Sequence, residues 1–173
     1  MEVETFWRIV EAAGKASDGD CRQQARLVTV ALGELDPEEV LAFERILDDL
    51  MDEAYCWNLW GAADLINRGC SDDGFTDFRG WLIAQGQDVF QNALGDPDSL
   101  ADHPAVSSLG EFDTLWCQEL LAAPLRAYEK LTNDSPPEDQ RPLAVLRGER
   151  WDFDDETITR QRYPRLWALV RPQ

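Results

Sequence analysis

Apolar residues recur three and four positions apart along almost the whole chain, and long runs of β-branched residues are absent. This spacing places apolar side chains on one face of a helix, whereas strict alternation would indicate a strand. The pattern therefore predicts an all-α protein, folded as a compact multi-helix bundle. The predicted helices cover 5–13, 21–34, 74–86, 87–94 and 108–131.

The clearest helix start is the run from Asp36 to Glu39. The aspartate suits the N-cap, the proline after it suits the first turn, and the two glutamates suit the positive end of the helix dipole. An apolar seam follows at spacings of three and four, which is typical of a helix packed in a bundle. The helix runs to Asn67 or breaks near Asn58, and Gly61 favours a kink or a close helix contact. The seam consists of Val40, Phe43, Leu47, Leu50, Ala54, Trp57 and Gly61.

Single residues indicate the limits of the other helices. Gly14 is a favoured residue just after a helix and predicts the end of the first one. Asp20 suits the N-cap of the second helix, whose inward face is predicted to carry Leu27 and Val30. Pro124 cannot donate a backbone hydrogen bond and predicts a bend in the last long helix.

The stretch from Asn133 to Pro137 has the composition of a linker. The part beyond it is too aromatic for a disordered tail, so we expect it to pack onto the body. We therefore divide the chain into an acidic helical domain over 1–134 and a Pro- and Arg-rich segment over 135–173. This segment docks on the body and is not an independent domain. Its aromatic residues include Trp151, Phe153, Tyr163 and Trp167.

Acidic residues outnumber basic ones by 34 to 16, which gives a formal net charge of -18. Binding to phosphates or to an anionic membrane surface requires an excess of Lys and Arg. The charge therefore excludes a general nucleic-acid binder and a protein that adsorbs to such membranes. Residues 1–140 hold 29 acidic and 9 basic side chains, whereas 141–173 hold 5 acidic residues and 7 arginines. We expect these arginines to pair with the acidic body, with recruitment of an anionic partner as the alternative.

The first functional hypothesis follows from this charge. A strongly acidic body steers association with a cationic surface. The protein is then a small interaction module that binds a basic protein partner, as immunity and regulatory proteins do, or mimics the charge of nucleic acid. The sequence does not indicate an oligomeric state.

The cysteines indicate a reducing environment. They contain no CxxC pair, and the chain is large enough to fold without disulfide bonds, so we expect four free thiols. The single histidine, His103, lacks a second histidine or a nearby cysteine for a zinc site, and we predict no cofactor. The opening residues lack a basic run followed by an apolar one, so we expect no signal peptide and a cytoplasmic location. The cysteines are Cys21, Cys56, Cys70 and Cys117.

A candidate ligand site lies on the helix that begins after Asp36. Projection at 100° per residue places Glu53, Trp57, Trp60 and Asp64 on one stripe if the helix is continuous. A carboxylate beside an indole can have a raised pKa and act as a general acid, or it can help to hold a cationic or aromatic ligand. The alternative is that the indoles fill the core and the carboxylates are solvated at its edge.

The loop over 70–79 supplies the second half of this candidate site. Its carboxylates Asp72, Asp73 and Asp77 could hold Mg²⁺ or Ca²⁺, although the spacing does not match an EF-hand. The alternative is that this loop caps a helix and that its acids pair with Arg68 or Arg79. Cys70 is the thiol expected to have a lowered pKa, because it lies close to a helix N-terminus. The candidate ligand-binding residues outside the stripe are Cys70, Asp72, Asp73, Asp77, Arg79 and Trp81.

The second functional hypothesis is a ligand-binding protein or a carboxylate-based enzyme, with a pocket between the stripe and the 70–79 loop. The common signatures for phosphate binding, dinucleotide binding, serine hydrolysis and zinc proteolysis are absent from the sequence. Their absence weighs against an enzyme, although carboxylate-based sites leave no short motif. The sequence is therefore compatible with an enzyme and with a binding protein.

Three runs in the middle of the chain resemble a known family. They are AYCWNLWGAA at 54–63, GCSDDGF at 69–75 and DFRGWLI at 77–83, and Phe6-Trp7 and the run 97–101 also match. The sequence over roughly residues 1–125 resembles the bacterial family DUF4240, a domain of unknown function. The resemblance implies a bacterial, cytoplasmic, helical protein and implies no reaction, ligand or catalytic residue.

Overall fold

The computed structural model describes residues 1–138 and 141–171. Its regular elements are helical throughout these two stretches, which confirms the predicted all-α bundle. No helix there is both long and apolar enough to cross a membrane. The helices are α1 (Val3–Ser17), α2 (Cys21–Leu32), α3 (Pro37–Glu53), α4 (Trp57–Asn67), α5 (Asp72–Ala84), α6 (Gln87–Gly95), a 3₁₀ helix (Pro97–Asp102), α7 (Pro104–Ser107), α8 (Gln118–Leu121), α9 (Ala123–Thr132), α10 (Glu156–Arg162) and α11 (Pro164–Val170).

Helix starts encoded by local polar residues lie at or near the predicted positions: α2 and α3 begin as predicted, and α5 begins two residues earlier than predicted. The Asp20 carboxylate accepts hydrogen bonds from two backbone N–H groups of the first turn of α2. Ser71 accepts one from Gly74 at the start of α5. α3 begins at Pro37, although the Asp36 side chain makes no capping bond. These signals act over three or four residues, which is why the sequence alone reveals them.

Other predicted boundaries are wrong. α1 continues through Gly14 to Ser17 and ends only where Asp18 adopts a left-handed conformation. The long helix predicted over 108–131 is instead an irregular stretch followed by α8 and α9. Pro124 lies in the first turn of α9, where its missing N–H leaves no intrahelical bond unmade, so no bend results.

The inward face of α2 also differs from its prediction. Val30 is 60% exposed, whereas Val28 and Leu32 are fully buried. The buried face of α2 therefore differs from the predicted one, and it includes the polar residue Gln24. Gln24 donates hydrogen bonds to the carbonyls of Val10 and Ala84, joining α2 to α1 and α5. A buried amide with two satisfied donors can occupy a core position that the apolar pattern does not mark.

The helix that begins after Asp36 does not continue to Asn67. It breaks before Asn58, in line with the second of the two predicted alternatives. α3 ends at Glu53 and α4 begins at Trp57, with Cys56 extended between them. The Trp57 N–H donates to the carbonyl of Arg147 at 2.9 Å, and the Arg147 N–H donates to the carbonyl of Tyr55 at 3.1 Å. The first turn of a helix has N–H groups without intrahelical acceptors. A residue of the C-terminal segment satisfies one of them here.

A single hydrophobic core joins the helices. Aromatic residues from α1, α3, α5 and α6 lie in it with almost no exposure, and Phe6 contacts Phe43 with ring centroids 4.4 Å apart. Its largest buried aromatic side chains are Phe6, Phe43, Phe75, Phe78, Phe90 and Tyr163.

The expectation of four free thiols is wrong for two of the cysteines. Cys21, the first residue of α2, forms a disulfide with Cys117, just before α8, and their Cα atoms are 5.7 Å apart. Cys56 and Cys70 remain free. The two partners are 96 residues apart and lack any short motif, so only the tertiary fold reveals the pair.

The Arg- and aromatic-rich C-terminal segment packs on the body, as predicted. Tyr163 and Leu166 are buried, and the Tyr163 hydroxyl donates to the carbonyl of Asn58 at 2.6 Å. The buried carboxylate of Asp98 accepts from the backbone N–H groups of Arg165 and Leu166, and so caps α11 from a distant part of the chain. This segment is therefore held mainly by buried contacts.

Ion pairs supplement these contacts at the surface. Arg141 bridges Asp48 and Asp49 of α3 at 2.6 and 2.8 Å, and Arg165 pairs with Asp102. Exposed pairs of this kind contribute about 0–1 kcal/mol each. Whether residues 1–134 form a domain without the segment stays a prediction.

Candidate functional site

A cavity of about 670 Å³ lies between α4 and the C-terminal segment. One wall comes from α4 and from Cys70, two residues before α5, and the other comes from residues 150–154, which precede α10. The cavity is lined by Trp57, Trp60, Asp64, Cys70, Arg150, Trp151, Asp152, Phe153 and Asp154.

The α4 wall presents two parallel indoles and a carboxylate. Trp57, Trp60 and Asp64 are spaced by three and four residues, so they lie on one helix face. The two indole rings stack with centroids 5.4 Å apart and planes 10° from parallel. Phe75 also stacks on Trp60, with ring centroids 4.9 Å apart, which helps to hold that ring in place.

Hydrogen bonds fix this wall to the loop before α5. The Trp60 indole N–H donates to the carbonyl of Cys70 at 2.9 Å. The Cys70 backbone N–H donates to Asp64 Oδ1 at 2.8 Å. Since both bonds meet at one residue, the ring and the carboxylate have a fixed separation before any ligand arrives.

The second wall is aromatic and acidic. Phe153 contacts Trp57 edge to face at 5.9 Å and Trp151 at 4.9 Å. Asp152 and Asp154 are exposed on either side of Phe153. The guanidinium carbon of Arg150 lies 5.3 Å from the centroid of the Trp57 ring.

Gly61 is the contact point of the two walls. A Cβ atom at this position of α4 would lie 2.4 Å from Trp151, 2.8 Å from the Tyr163 hydroxyl and 3.2 Å from Phe153. Of the predicted kink or close helix contact at Gly61, a close contact is present, but it is not made with a helix. Its partner is the C-terminal segment.

Burial raises the pKa of the Asp64 carboxyl, and the negative charge of Asp154 adds to the rise. The hydrogen bond from Cys70 and the positive charge of Arg171 act in the opposite direction but do not cancel it. The cavity therefore holds a carboxylate that water solvates only in part, next to two indole faces.

The prediction of a lowered pKa at Cys70 is wrong. Burial raises its pKa to about 12, and the charges of Asp64 and Asp77 contribute to the rise. The thiol is therefore protonated at neutral pH. A protonated thiol is a weak nucleophile and a weak metal ligand.

The structure separates Glu53 from the rest of the predicted stripe. The projection assumed one continuous helix, but Glu53 is the last residue of α3 and is exposed, and it does not line the cavity. Trp57, Trp60 and Asp64 do line it, together with Cys70.

The acidic residues of the 70–79 loop also lie outside the cavity lining. Asp72 and Asp73 are exposed in the first turn of α5, where the helix dipole favours them. Burial raises the pKa of Asp77, with contributions from Asp73 and Glu119. Within 1–138 and 141–171, no three His, Cys, Asp or Glu side chains group as metal ligands.

Arg79 has a structural environment and does not pair with the loop acids. It is only 8% exposed and donates to the carbonyl of Met51 at 2.7 Å and to the Thr76 hydroxyl at 3.1 Å. Its guanidinium lies over the rings of Tyr55 and Phe75 at 4.7 and 5.1 Å. Burial lowers its pKa. Arg79 thereby anchors the last turn of α3 to α5.

Trp81 and Arg68 likewise have other contacts. Trp81 is buried, meets His103 edge to face at 5.4 Å and lines a separate cavity beside α1 and α2. Arg68 donates to the carbonyl of Gly110. Neither residue reaches the cavity beside Trp57.

Sequence reasoning missed the second wall, residues 150–154. These residues lie about 90 positions from Trp57, and no local pattern joins the two parts of the chain. Two features of the sequence indicate that such a contact exists. One is Gly61 in the middle of a helix, and the other is the high density of aromatic residues in the last 25 residues. Neither signal identifies its partner.

Comparison with known proteins gives one match. A family model described as "Protein of unknown function (DUF4240)" covers residues 1–130. Neither the curated proteins nor the solved structures contain a match. The matched region contains the α4 wall of the cavity and ends before the second wall.

Proposed function

The chain belongs to the DUF4240 family of proteins of unknown function, and we propose that it binds a small organic cation in the cavity beside Trp57. The observation that carries the proposal is the composition of this cavity. Its lining combines stacked indoles with three carboxylates, and among the described residues Arg150 is the single basic residue in it.

The aromatic faces give the cavity its affinity for cations. An indole face carries negative potential, and its attraction for a cation contributes about 0.5–1 kcal/mol at an exposed site and about 2 kcal/mol when desolvated. Trp57 and Trp60 are half-buried and already ordered by their mutual stacking. A ligand therefore meets rings whose conformational entropy is already lost.

The carboxylates add the charge that selects a cation. Asp64 is fixed by Cys70 at one oxygen only. Asp152 and Asp154 contribute two further acidic groups on the opposite wall. An anionic ligand would meet these three carboxylates, so electrostatic repulsion favours cations over anions.

Binding is better supported than nucleophilic catalysis by a thiol. Cys70 holds its proton at neutral pH, and no histidine lies in the cavity lining to act as a base. Nucleophilic catalysis requires a nucleophile and a base within hydrogen-bonding reach.

A direct titration tests this proposal. Benzyltrimethylammonium is a suitable probe for isothermal titration calorimetry, because it combines a quaternary ammonium group with an aromatic ring. We expect binding to the wild type, at least about fivefold weaker binding to Trp57→Ala and about tenfold weaker binding to Asp64→Asn. Trp116→Ala serves as the control, because Trp116 is an exposed indole with an arginine nearby and lies outside the cavity. No binding by the wild type, or an equal loss in all three variants, would overturn the proposal.

The surface of α3 supports a second candidate, recognition of a basic protein partner in the manner of immunity or regulatory proteins. α3 carries seven acidic residues and a single basic one, Arg45. Such a surface accelerates association with a cationic partner and loses this effect at high salt. The acidic residues are Glu38, Glu39, Glu44, Asp48, Asp49, Asp52 and Glu53.

A basic peptide tests the second candidate. We expect an oligolysine peptide to bind the wild type at low ionic strength and to bind the double variant Asp52→Asn, Glu53→Gln less tightly. The matched control neutralises two exposed acids on other helices, Asp88→Asn and Glu129→Gln. Equal weakening by both pairs would indicate an effect of net charge alone and would contradict a binding role for α3.

We also propose that the protein works in the bacterial cytoplasm. There the Cys21–Cys117 bond must resist the thiol pool, and access to it is limited because Cys117 is fully buried and Cys21 is partly buried. Alkylation of the protein in freshly lysed cells, followed by mass spectrometry, counts the thiols. Two labelled cysteines indicate that the bond persists in the cytoplasm, and four indicate that it is reduced there.

A further inference from the structure

Arg150 already places a cation on an indole of the cavity. Its guanidinium carbon lies 5.3 Å from the centroid of the Trp57 ring. Within the described residues, this ring contact is the sole side-chain interaction of Arg150, which is exposed and has no ion pair or side-chain hydrogen bond. A side chain held by one weak contact is easily displaced.

The aromatic cluster around the cavity repeats this pairing of ring and guanidinium. Arg162 lies over Trp151 at 5.0 Å, and Arg79 lies over Tyr55 at 4.7 Å. The guanidinium group is planar and more weakly hydrated than an ammonium group, so it stacks on rings at a lower desolvation penalty. The rings of this cluster are therefore suited to guanidinium groups in particular.

Asp64 supplies a hydrogen-bond acceptor beside the indole rings. Its Oδ1 accepts the Cys70 N–H, and within the described residues the carboxylate has no ion pair. A guanidinium group carries five N–H donors in a plane, so it can lie flat on an indole while its edge donates to a carboxylate. An ammonium group offers a compact charge without a flat face.

We infer that the cavity is a guanidinium site and that Arg150 is a tethered competitor which the ligand displaces from Trp57. This inference rests on the proposed function and narrows its ligand class from organic cations to guanidinium compounds. The group can come from a free metabolite or from an arginine side chain of a protein.

Calorimetry with probes of equal charge tests the ligand class. The probes are N-acetyl-arginine amide, N-acetyl-lysine amide and tetramethylammonium. We expect the arginine probe to bind the wild type at least about fivefold tighter than the lysine probe, because stacking and planar hydrogen bonds act together. Equal affinities for all three probes would overturn the guanidinium site and leave the cation site intact. No binding of any probe would overturn both.

Variants of Arg150 test the competitor. Arg150→Ala removes the contact between the guanidinium and the Trp57 ring. We therefore expect this variant to bind the arginine probe about two- to fivefold tighter than the wild type. Arg150→Lys retains the charge and predicts a smaller gain. Arg160→Ala is the control, because it removes an exposed arginine of the same segment that has no ring contact. We expect its affinity for the arginine probe to change only by the effect of one lost positive charge. Equal gains in Arg150→Ala and Arg160→Ala would overturn the competitor.

Two further probes identify the source of the guanidinium group. Agmatine represents a free metabolite, and a capped Gly-Arg-Gly peptide represents a protein side chain. Tighter binding of either one supports the guanidinium site and assigns its source. Binding of both no tighter than tetramethylammonium would contradict the site. Thermal melts of each variant confirm that the fold is intact.

Discussion

Gly61 has no side chain, and this allows three aromatic residues of the C-terminal segment to approach α4. A methyl group there would lie 2.4 Å from Trp151 and 2.8 Å from the Tyr163 hydroxyl. Glycine in a helix interior costs about 1 kcal/mol relative to alanine. Close packing against the segment is the compensating gain.

The first prediction concerns this glycine. Gly61→Ala improves helix propensity but overpacks the interface, so we expect a net loss of about 1–3 kcal/mol in the free energy of unfolding. Gly95→Ala is the matched control, because a methyl group at this helical position meets nothing within 4 Å. Urea denaturation measures both. A Gly61→Ala variant as stable as Gly95→Ala would show that the segment does not pack tightly on α4.

The second prediction concerns Arg79, which fixes the end of α3. Arg79→Lys loses the planar contacts with Tyr55 and Phe75 and cannot reproduce both hydrogen bonds, to Met51 and Thr76. We expect a loss of about 1–3 kcal/mol in the free energy of unfolding.

The exposed substitution Arg8→Lys is the control for Arg79→Lys. It removes one surface hydrogen bond, to Thr5, and should change the stability by less than about 0.5 kcal/mol. Denaturation curves compare the two variants. Similar small losses in both would contradict a structural role for Arg79.

The third prediction is a pH dependence at Asp64. Its pKa is raised in the folded state, mainly by burial. The folded protein therefore binds a proton at this site more readily than the unfolded chain does. This contribution to stability is present below the unfolded pKa and is lost as the pH rises through the folded pKa. The ionised carboxylate thus destabilises the fold at neutral pH.

Asp64→Asn tests this reasoning, because the amide oxygen can still accept the Cys70 N–H. We expect the variant to be more stable than the wild type at pH 7 and equally stable in acid, measured by urea denaturation at each pH. The same variant should bind a cation less tightly than the wild type, because its side chain is neutral. Its stability at pH 7 should thus rise while its affinity for cations falls. A variant less stable at pH 7 would contradict the raised pKa.

At the scale of single elements, local signals predicted helix starts better than helix ends. Asp20, Ser71 and Pro37 act within one turn, so the sequence reveals the starts of α2, α5 and α3. The break between α3 and α4 depends on Arg147, which lies 90 residues beyond Trp57 in the sequence. Such partners are invisible to a pattern read over 10 to 20 residues.

α11 shows the same dependence on distant residues. It has seven residues, too few for a stable isolated helix. Its first turn is capped by the buried carboxylate of Asp98, which belongs to the 3₁₀ helix more than 60 residues earlier. A sequence signal for this cap does not exist near α11.

The fourth prediction tests this remote cap. Asp98→Ala leaves the N–H groups of Arg165 and Leu166 without acceptors, and we expect a loss of about 1–3 kcal/mol in the free energy of unfolding. Faster proteolytic cleavage within 141–171 should accompany it. Asp88→Ala, at an exposed position in α6, is the control. Unchanged proteolysis in the Asp98 variant would contradict the anchoring of α11 by this residue.

At the scale of the whole molecule, the sequence predicted the fold class and one wall of the cavity. The α4 wall follows from helical spacing, which brings Trp57, Trp60 and Asp64 to one face. The second wall and the disulfide are products of tertiary folding. The acids of the 70–79 loop were candidate metal ligands with helix capping as the alternative, and within the described residues they do not group as ligands, because proximity in sequence does not make side chains converge.

The fifth prediction concerns the Cys21–Cys117 disulfide. It closes a loop of nearly 100 residues, which in the chain-entropy view stabilises the fold by roughly 4–5 kcal/mol, with 2–5 kcal/mol typical of native disulfides. We expect reduction of the wild type to lower the free energy of unfolding by such an amount. The double variant Cys21→Ser, Cys117→Ser should have this lower stability and should not respond to reductant. A wild type that is equally stable with and without reductant would contradict the prediction.

The long separation between the two cavity walls also sets an order in time during biosynthesis. Arg150 leaves the ribosome 93 residues after Trp57, which at ~5–20 residues per second is a delay of roughly 5–20 s. In this interval, the indoles of α4 and the N–H of Trp57 lack the partners that later cover them. The nascent chain therefore passes through a stage with an uncovered aromatic face, at which chaperones or aggregation compete with completion of the cavity.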